Sequence, residues 1–301
     1  MRYIFGMPLA FVAILSASPI LGIISGIIYA LIFDSDKNSK KKLLGTNFLQ
    51  IGIIFLGLTL SFSNSLTITQ TYLPAIAIQF LSVIFVGFLI SKLFKLKRKL
   101  SILIISGTAI CGITAMAAIS TLIKVKPKYL FLSISIIFMF NILAIILFPI
   151  IGGYLNISEE IFGAWVALSI HDTSSVIGAS MIYGPSALET ATLVKLIRTL
   201  WLIPLMILLG FFYEEKNKTK IQLPTFVLIF MLAVLSGSFL DFNDQYIYIF
   251  ESVSKIFIVA ALFCIGMQIP FKSILETKLD YFLYSLIMWV LAILISLTLV
   301  I

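Results

Sequence analysis

The sequence predicts an all-α polytopic membrane protein of about ten transmembrane segments, arranged as inverted repeats with two interrupted or re-entrant helices. Three observations carry that prediction. Of 301 residues, 61% are hydrophobic and only 11% charged, and the mean hydropathy is +1.16, whereas a soluble domain has about a quarter of its residues charged. The apolar residues fall into runs near the length of about 20 that a membrane-spanning helix needs, separated by short charged or Pro/Gly/Asn connections. Two of those runs are broken at their centres by small and polar residues.

In chain order the runs are 4–33, 45–63, 72–91, 100–123, 129–151, 161–183, 190–213, 222–240, 246–269 and 279–300. They fill the chain, so residues 1–301 form a single transmembrane domain, with approximate halves 1–151 and 152–301. The first run is about 30 residues long and contains Pro8 and Pro19. A short helix before Ser18-Pro19 and a full one after it are expected, because a residue preceding proline is pushed out of the helical region. The opening Met1-Arg2, the apolar stretch to Leu15 and Ser16-Ala17-Ser18 have the outline of a signal peptide. A second apolar run follows with no charge between, so a retained first membrane segment is expected instead.

Loop charges orient the segments. Lys37 and Lys40 to Lys42, the five cations between Lys92 and Lys99, then Lys216, Lys218 and Lys220, and finally Lys272 and Lys278 mark cytoplasmic connections, while 64–71 and 241–245 carry no Lys or Arg. Strict alternation then fails in the middle of the chain. It places Lys124, Lys126 and Lys128 outside and Glu159-Glu160 inside, the wrong sign for both. If 100–123 and 161–183 each dip in and return, every loop falls on its expected side. The alternative is that both cross as broken helices.

The two sequences support irregularity independently. The first reads Ser106-Gly107-Thr108-Ala109-Ile110-Cys111-Gly112-Ile113-Thr114, and the second Ser169-Ile170-His171-Asp172-Thr173-Ser174-Ser175. Non-helical backbone at membrane depth persists only where it is buried in protein or lines a cavity, and paired interrupted segments point to a transporter site. Gly57, Phe62 and Tyr72 also recur as Gly266, Phe271 and Tyr281, each shifted by 209 positions. On the loop-charge topology these two copies run in opposite directions, as an inverted repeat requires.

Charge and cysteine content narrow the function. The net charge of +8 comes from loop lysines, so no nucleic-acid partner is expected, and Cys111 and Cys264 lie in apolar runs without metal-ligand or disulfide spacing. No cofactor motif is present and no metal site is expected. A lone His171 beside its own aspartate cannot build a Ser-His-Asp relay within one helix, since neighbours point about 100° apart. An enzyme is therefore not expected, and an intramembrane hydrolase is the remote alternative.

The candidate site is assembled from the interrupted segments. His171 and Asp172 lie near the membrane midplane, where ionisable groups are functional by default, and Asp172 is also a good helix N-cap. Lys195 and Arg198 stand at i and i+3 on one helix face. Arg198 has two options: a pair with Asp172, or a bidentate fork for an oxyanion. Backbone amides around Gly107, Thr108, Cys111, Gly112 and Thr114, and around Thr173, Ser174 and Ser175, are candidates for binding substrate, with Lys195 and Arg198 supplying charge and His171 or Asp172 taking a coupling proton.

SGTAICG, IHDTSSV and ATLVKLIRTLWLIP, in that order, resemble the sulfate-exporter family of YeiH-like membrane proteins, over residues from about 19 to the end. That family is grouped with the cation/proton antiporter and anion transporter superfamily. The resemblance implies a secondary transporter in the cell membrane, and a sulfur oxyanion as substrate; it carries over to Cys111-Gly112, His171-Asp172, Lys195 and Arg198. A homodimer is the analogy from such folds. Two positions depart from the family pattern: Ser175 stands where it has Gln, and Thr59 where it has Arg. The expected function is proton-linked export of a small anion, with a cation/proton antiporter using Asp172 as the alternative.

Overall fold

The computed structural model describes residues 18–33, 39–213, 225–240, 242–268 and 279–301. Among these residues every regular element is a helix: α1 (Pro19–Phe33), α2 (Ser39–Gly57), α3 (Phe62–Leu93), α4 (Arg98–Ala109), α5 (Ile113–Leu122), α6 (Pro127–Tyr154), α7 (Glu159–Ser169), α8 (Thr173–Tyr183), α9 (Pro185–Leu200), α10 (Leu202–Phe212), α11 (Thr225–Leu240), α12 (Asp244–Gly266) and α13 (Leu279–Val300). Five spans are long and apolar enough to cross a membrane: α3, α6, α9 with α10, α12 and α13. The chain is thus an all-α polytopic membrane protein. Pro8, Lys37, Lys216, Lys218, Lys220, Phe271, Lys272 and Lys278, together with the stretch before Ser18, lie outside the described residues.

Most boundaries follow the apolar runs. α1 begins at Pro19, the first helical position at which a missing N–H costs nothing. α3 departs furthest, starting ten residues before its apolar run. The intervening Ser/Thr-rich stretch is polar yet helical, and the hydroxyls of Thr67, Thr69 and Thr71 are satisfied within the helix, each donating to the carbonyl four residues earlier. Near Trp201 the span of α9 and α10 is interrupted, where Pro204 withholds the N–H that would bond Leu200.

Both interrupted runs are re-entrant hairpins. In the first, α4 and α5 fold back on each other, with Gly107 of α4 packed against Met116 of α5. Their outer ends meet as well, since Lys99 Nζ at the start of α4 donates to the Lys124 carbonyl just after α5, at 3.1 Å. In the second, the Phe162 ring near the start of α7 stacks on Tyr183 at the end of α8, with centroids 3.7 Å apart. The Tyr183 hydroxyl donates to the Ile157 carbonyl, and Glu159 accepts from Ser186 N at 2.9 Å.

The hairpins enter from opposite faces. α6 joins them: its start lies at the mouth of the first, where Lys97 Nζ donates to Tyr129 Oη at 2.8 Å. Its end lies at the mouth of the second, where Gly152 packs against Phe162 and Tyr183. A 28-residue helix separates the mouths by about 42 Å. Lys95, Lys97, Arg98, Lys99, Lys124, Lys126 and Lys128 therefore gather at one end of α6, and Glu159 and Glu160 at the other, resolving the conflict of loop charges. Cysteines placed at Lys126 and Glu159 are expected to label from opposite sides, Lys126 from the cytoplasm; labelling from one side would overturn the arrangement.

Two groups of helices share the molecule. α12 packs along α1 and α2, and α2 also packs on α11, while α3, α6, α9, α10 and α13 pack around the hairpins. α2 and α12 end at the repeated glycines Gly57 and Gly266. They are antiparallel, with Gly45 facing Cys264, Gly52 facing Ile258, and Ser254 Oγ donating to the Gly52 carbonyl at 2.8 Å. Small residues let the two backbones approach closely where lipid supplies no hydrophobic drive.

Candidate functional site

The hairpin tips meet in the interior of the protein. Gly112 at the first tip has φ +58° and ψ −117°, a region open only to glycine. A Cβ there would stand 3.2 Å from the His171 backbone and side chain at the second tip. Both the backbone geometry and the close approach require the missing side chain.

Each tip leaves helix ends with unpaired backbone groups. On the carbonyl side, α9 supplies the partners. Arg198 Nε donates to the Ala109 carbonyl at 3.1 Å, and its Nη atoms donate to Ala167 at 2.7 Å, Ile170 at 3.2 Å and Thr108. Lys195 Nζ donates to Ile170 and His171 at 2.7 Å each and to Ile110 at 3.4 Å. The side chains are wholly buried, at 0% and 1% exposure. One helix turn thus ties the C-terminal ends of α4 and α7 together and places two cations at the negative ends of their dipoles. Neither charge is aimed at Asp172.

The amino ends behave differently. The N-termini of α5 and α8 open on a cavity of about 540 Å³, lined there by Ile113, Thr114, Asp172, Thr173 and Ser174. Gly112 caps α5 with no side chain, whereas Asp172 caps α8, accepting from Ser174 N at 3.2 Å and from Ser174 Oγ. The far wall comes from α2, α11 and α12, with Thr46, Gln50 and Gln268 among its polar groups and Leu49, Ile53, Phe226 and Ile265 among its apolar ones. The cavity therefore lies between the two groups of helices.

Of the residues singled out in the sequence, Thr114, Asp172, Thr173 and Ser174 line this cavity. The rest surround it. Gly107 packs on Met116 and Ile137, Thr108 accepts from Arg198, and Cys111 and Ser175 are buried, each 2% exposed. His171 turns away from the cavity: Asn141 Oδ1 of α6 accepts from His171 N and pairs with its Nδ1, both at 3.3 Å. His171 Nε2 is buried and has no hydrogen-bond partner among the described residues. Sequence reasoning missed Gln50, Gln268 and Asn141, although Gln268 and Asn141 are each the lone amide of an apolar run and Gln50 shares its run with Asn47. Gln268 stands 209 positions after Thr59, within the same repeated frame.

Residues 3–285 match the family described as conserved hypothetical protein 698. A UPF0324 membrane protein of Vibrio vulnificus is 37% identical over 247 residues, 80% of this chain and 79% of that protein. One from Porphyromonas gingivalis is 31% identical over 277 residues, covering 91% and 84%; another from Streptococcus pneumoniae is 33% identical over 272 residues, covering 86% and 80%. No solved structure matches. With this coverage and these spans, the chain belongs to the conserved hypothetical protein 698 family of UPF0324 membrane proteins.

Proposed function

We propose that the protein is a secondary transporter of a small anion, coupled to protons, whose substrate rests in the cavity between the hairpin tips and α2, α11 and α12. The observation that carries this reading is the sorting of helix ends. Both carbonyl ends are neutralised by Lys195 and Arg198, while both amide ends face the cavity, leaving a partial positive charge and N–H donors where an anion would sit. The open amides of α5 and the hydroxyls of Thr114, Thr173 and Ser174 are the contacts. Lys195 and Arg198 act from behind, through the helices, without touching substrate. Sulfate, or a related oxyanion, follows from the resemblance to the sulfate exporters, with export as the direction.

Asp172 supplies the coupling. Ionised, it repels an anion and holds the Ser174 amide; protonated, it does neither with the same strength. His171, turned to Asn141, has no direct path to substrate, so Asp172 is the better proton carrier. That same half-buried carboxylate at the cavity wall favours a second reading, a cation/proton antiporter in which Asp172 binds the cation.

The test is flux in proteoliposomes loaded with labelled sulfate under an imposed pH gradient. Gradient-dependent release, lost in Asp172→Asn, is the expected result. Absence of sulfate release, together with collapse of the gradient on adding sodium or potassium, would overturn the anion reading and favour the antiporter.

A further inference from the structure

A second pocket runs along α4 from the mouth of the first hairpin, on the side of α3 and α10. It has a volume of about 250 Å³ and is walled by Ile84 and Phe88 of α3, Ile105 of α4, and Leu208 and Phe212 of α10, with Arg98 at its rim. Leu208 and Phe212 are 50% and 70% exposed, so the groove opens sideways to the membrane. Lys97 and Lys99, the neighbours of Arg98, are already engaged with Tyr129 and Lys124. Arg98 is not: among the described residues its partner is the Tyr213 ring, 5.8 Å away. That contact holds the guanidinium over the groove and leaves its N–H fork free. Lys92 extends the Ile84–Phe88 stripe of α3 by one more turn and is exposed.

We propose that this groove binds an anionic phospholipid, the phosphate on Arg98 with Lys92 nearby, and part of one acyl chain between α3, α4 and α10. Charge complementarity selects the occupant. An apolar slot open to hydrocarbon takes any acyl chain, but a free guanidinium at headgroup level, within a ring of cations, selects a phosphate diester without a balancing ammonium. Because the lipid touches both α4 and α10, it braces the first hairpin against the end of the α9–α10 span.

The experiment is native mass spectrometry of the detergent-purified full chain, titrated with phosphatidylglycerol or phosphatidylcholine of matched acyl chains. The wild type is expected to retain phosphatidylglycerol about fivefold more, roughly the contribution of one basic residue near a charged headgroup. Arg98→Ala is expected to remove that preference, Arg98→Lys to keep most of it, and Leu208→Trp to lower occupancy by filling the groove. Equal retention of the two lipids by the wild type would overturn the proposal. So would an unchanged preference in Arg98→Ala or unchanged occupancy in Leu208→Trp. Displacement of the lipid by millimolar inorganic phosphate alone would show that the site takes a free anion instead. Should Arg98→Ala aggregate on size exclusion, the wild-type preference and Leu208→Trp still decide.

Discussion

The two re-entrant hairpins have the same plan and opposite chemistry at their tips. Both descend as a helix of 11 or 12 residues, break for three, and return as a helix of 10 or 11. The first turns on Gly112, with positive φ and no capping side chain; the second turns at His171 between Ile170 and Asp172, both in extended backbone, and Asp172 caps the returning helix. One returning helix thus offers open amides and the other a carboxylate already bonded to its own. The difference teaches that two hairpins of one plan can present different helix starts, one without a capping side chain and one closed by a carboxylate, which is the asymmetry the proposed transport would use.

The comparison breaks most completely at the residue both hairpins share. Arg198→Ala removes donors to Thr108 and Ala109 on one side and Ala167 and Ile170 on the other. The Ile170 carbonyl keeps Lys195, but leaving the Thr108, Ala109 and Ala167 carbonyls short of partners costs about 3 kcal/mol or more. A melting temperature lower by on the order of 10 °C, read by a fluorescent thermal shift in detergent, is expected along with loss of flux. Survival of full stability would mean that the tips hold each other without α9.

Gly112→Ala attacks the first tip alone. Its backbone is strained for any side chain, by about 1–3 kcal/mol, and the His171 contact adds to this. A melting temperature lower by several degrees is expected, with sulfate flux falling in the same preparation.

At the second tip the cap and the charge separate. Asp172→Ala loses the cap, about 1 kcal/mol, whereas Asp172→Asn keeps a capping oxygen and removes only the charge. The expected pattern is near wild-type melting for Asn, a small drop for Ala, and loss of the proton gradient's effect on flux in both. Equal destabilisation by both would assign Asp172 to structure rather than coupling.

The smallest effect belongs to the mouth of the second hairpin. Tyr183→Phe removes the hydroxyl bonded to the Ile157 carbonyl but keeps the stack on Phe162, and about 1 kcal/mol or less is expected. Chemical denaturation of the purified protein, compared at equal detergent, resolves a change of that size.

The fold was legible where physics leaves a trace in side chains. Lys124, Lys126 and Lys128 against Glu159 and Glu160 exposed the re-entrant hairpins, because misplaced loop charges are visible without coordinates. Lys195 and Arg198 were placed correctly on one helix face, yet what they face was not readable. Their partners are backbone carbonyls, and every residue has one. The site was legible in part for a related reason. Asp172, Thr173 and Ser174 announce a helix start, but Gln50 lies in α2 and Gln268 just after α12, both distant in the chain, and the packing of α12 on α8 with α2 held along α12 brings them to the cavity. Asn141 was missed because a single amide in a long apolar span has many bland explanations until His171 is found beside it.

α6 is the ruler of this molecule. Because it links the two hairpins in the chain and runs without a break from the mouth of one to the mouth of the other, its residue count fixes how far apart, and at what rotation, the two are launched toward each other. One added residue would shift the second mouth by about 1.5 Å and turn it by about 100°, against a tip contact that a single methyl group at Gly112 would already crowd. Length in this helix is therefore as much a part of the site as any side chain in it, and a single insertion at its lipid-facing middle should disable a protein whose every cavity residue is intact.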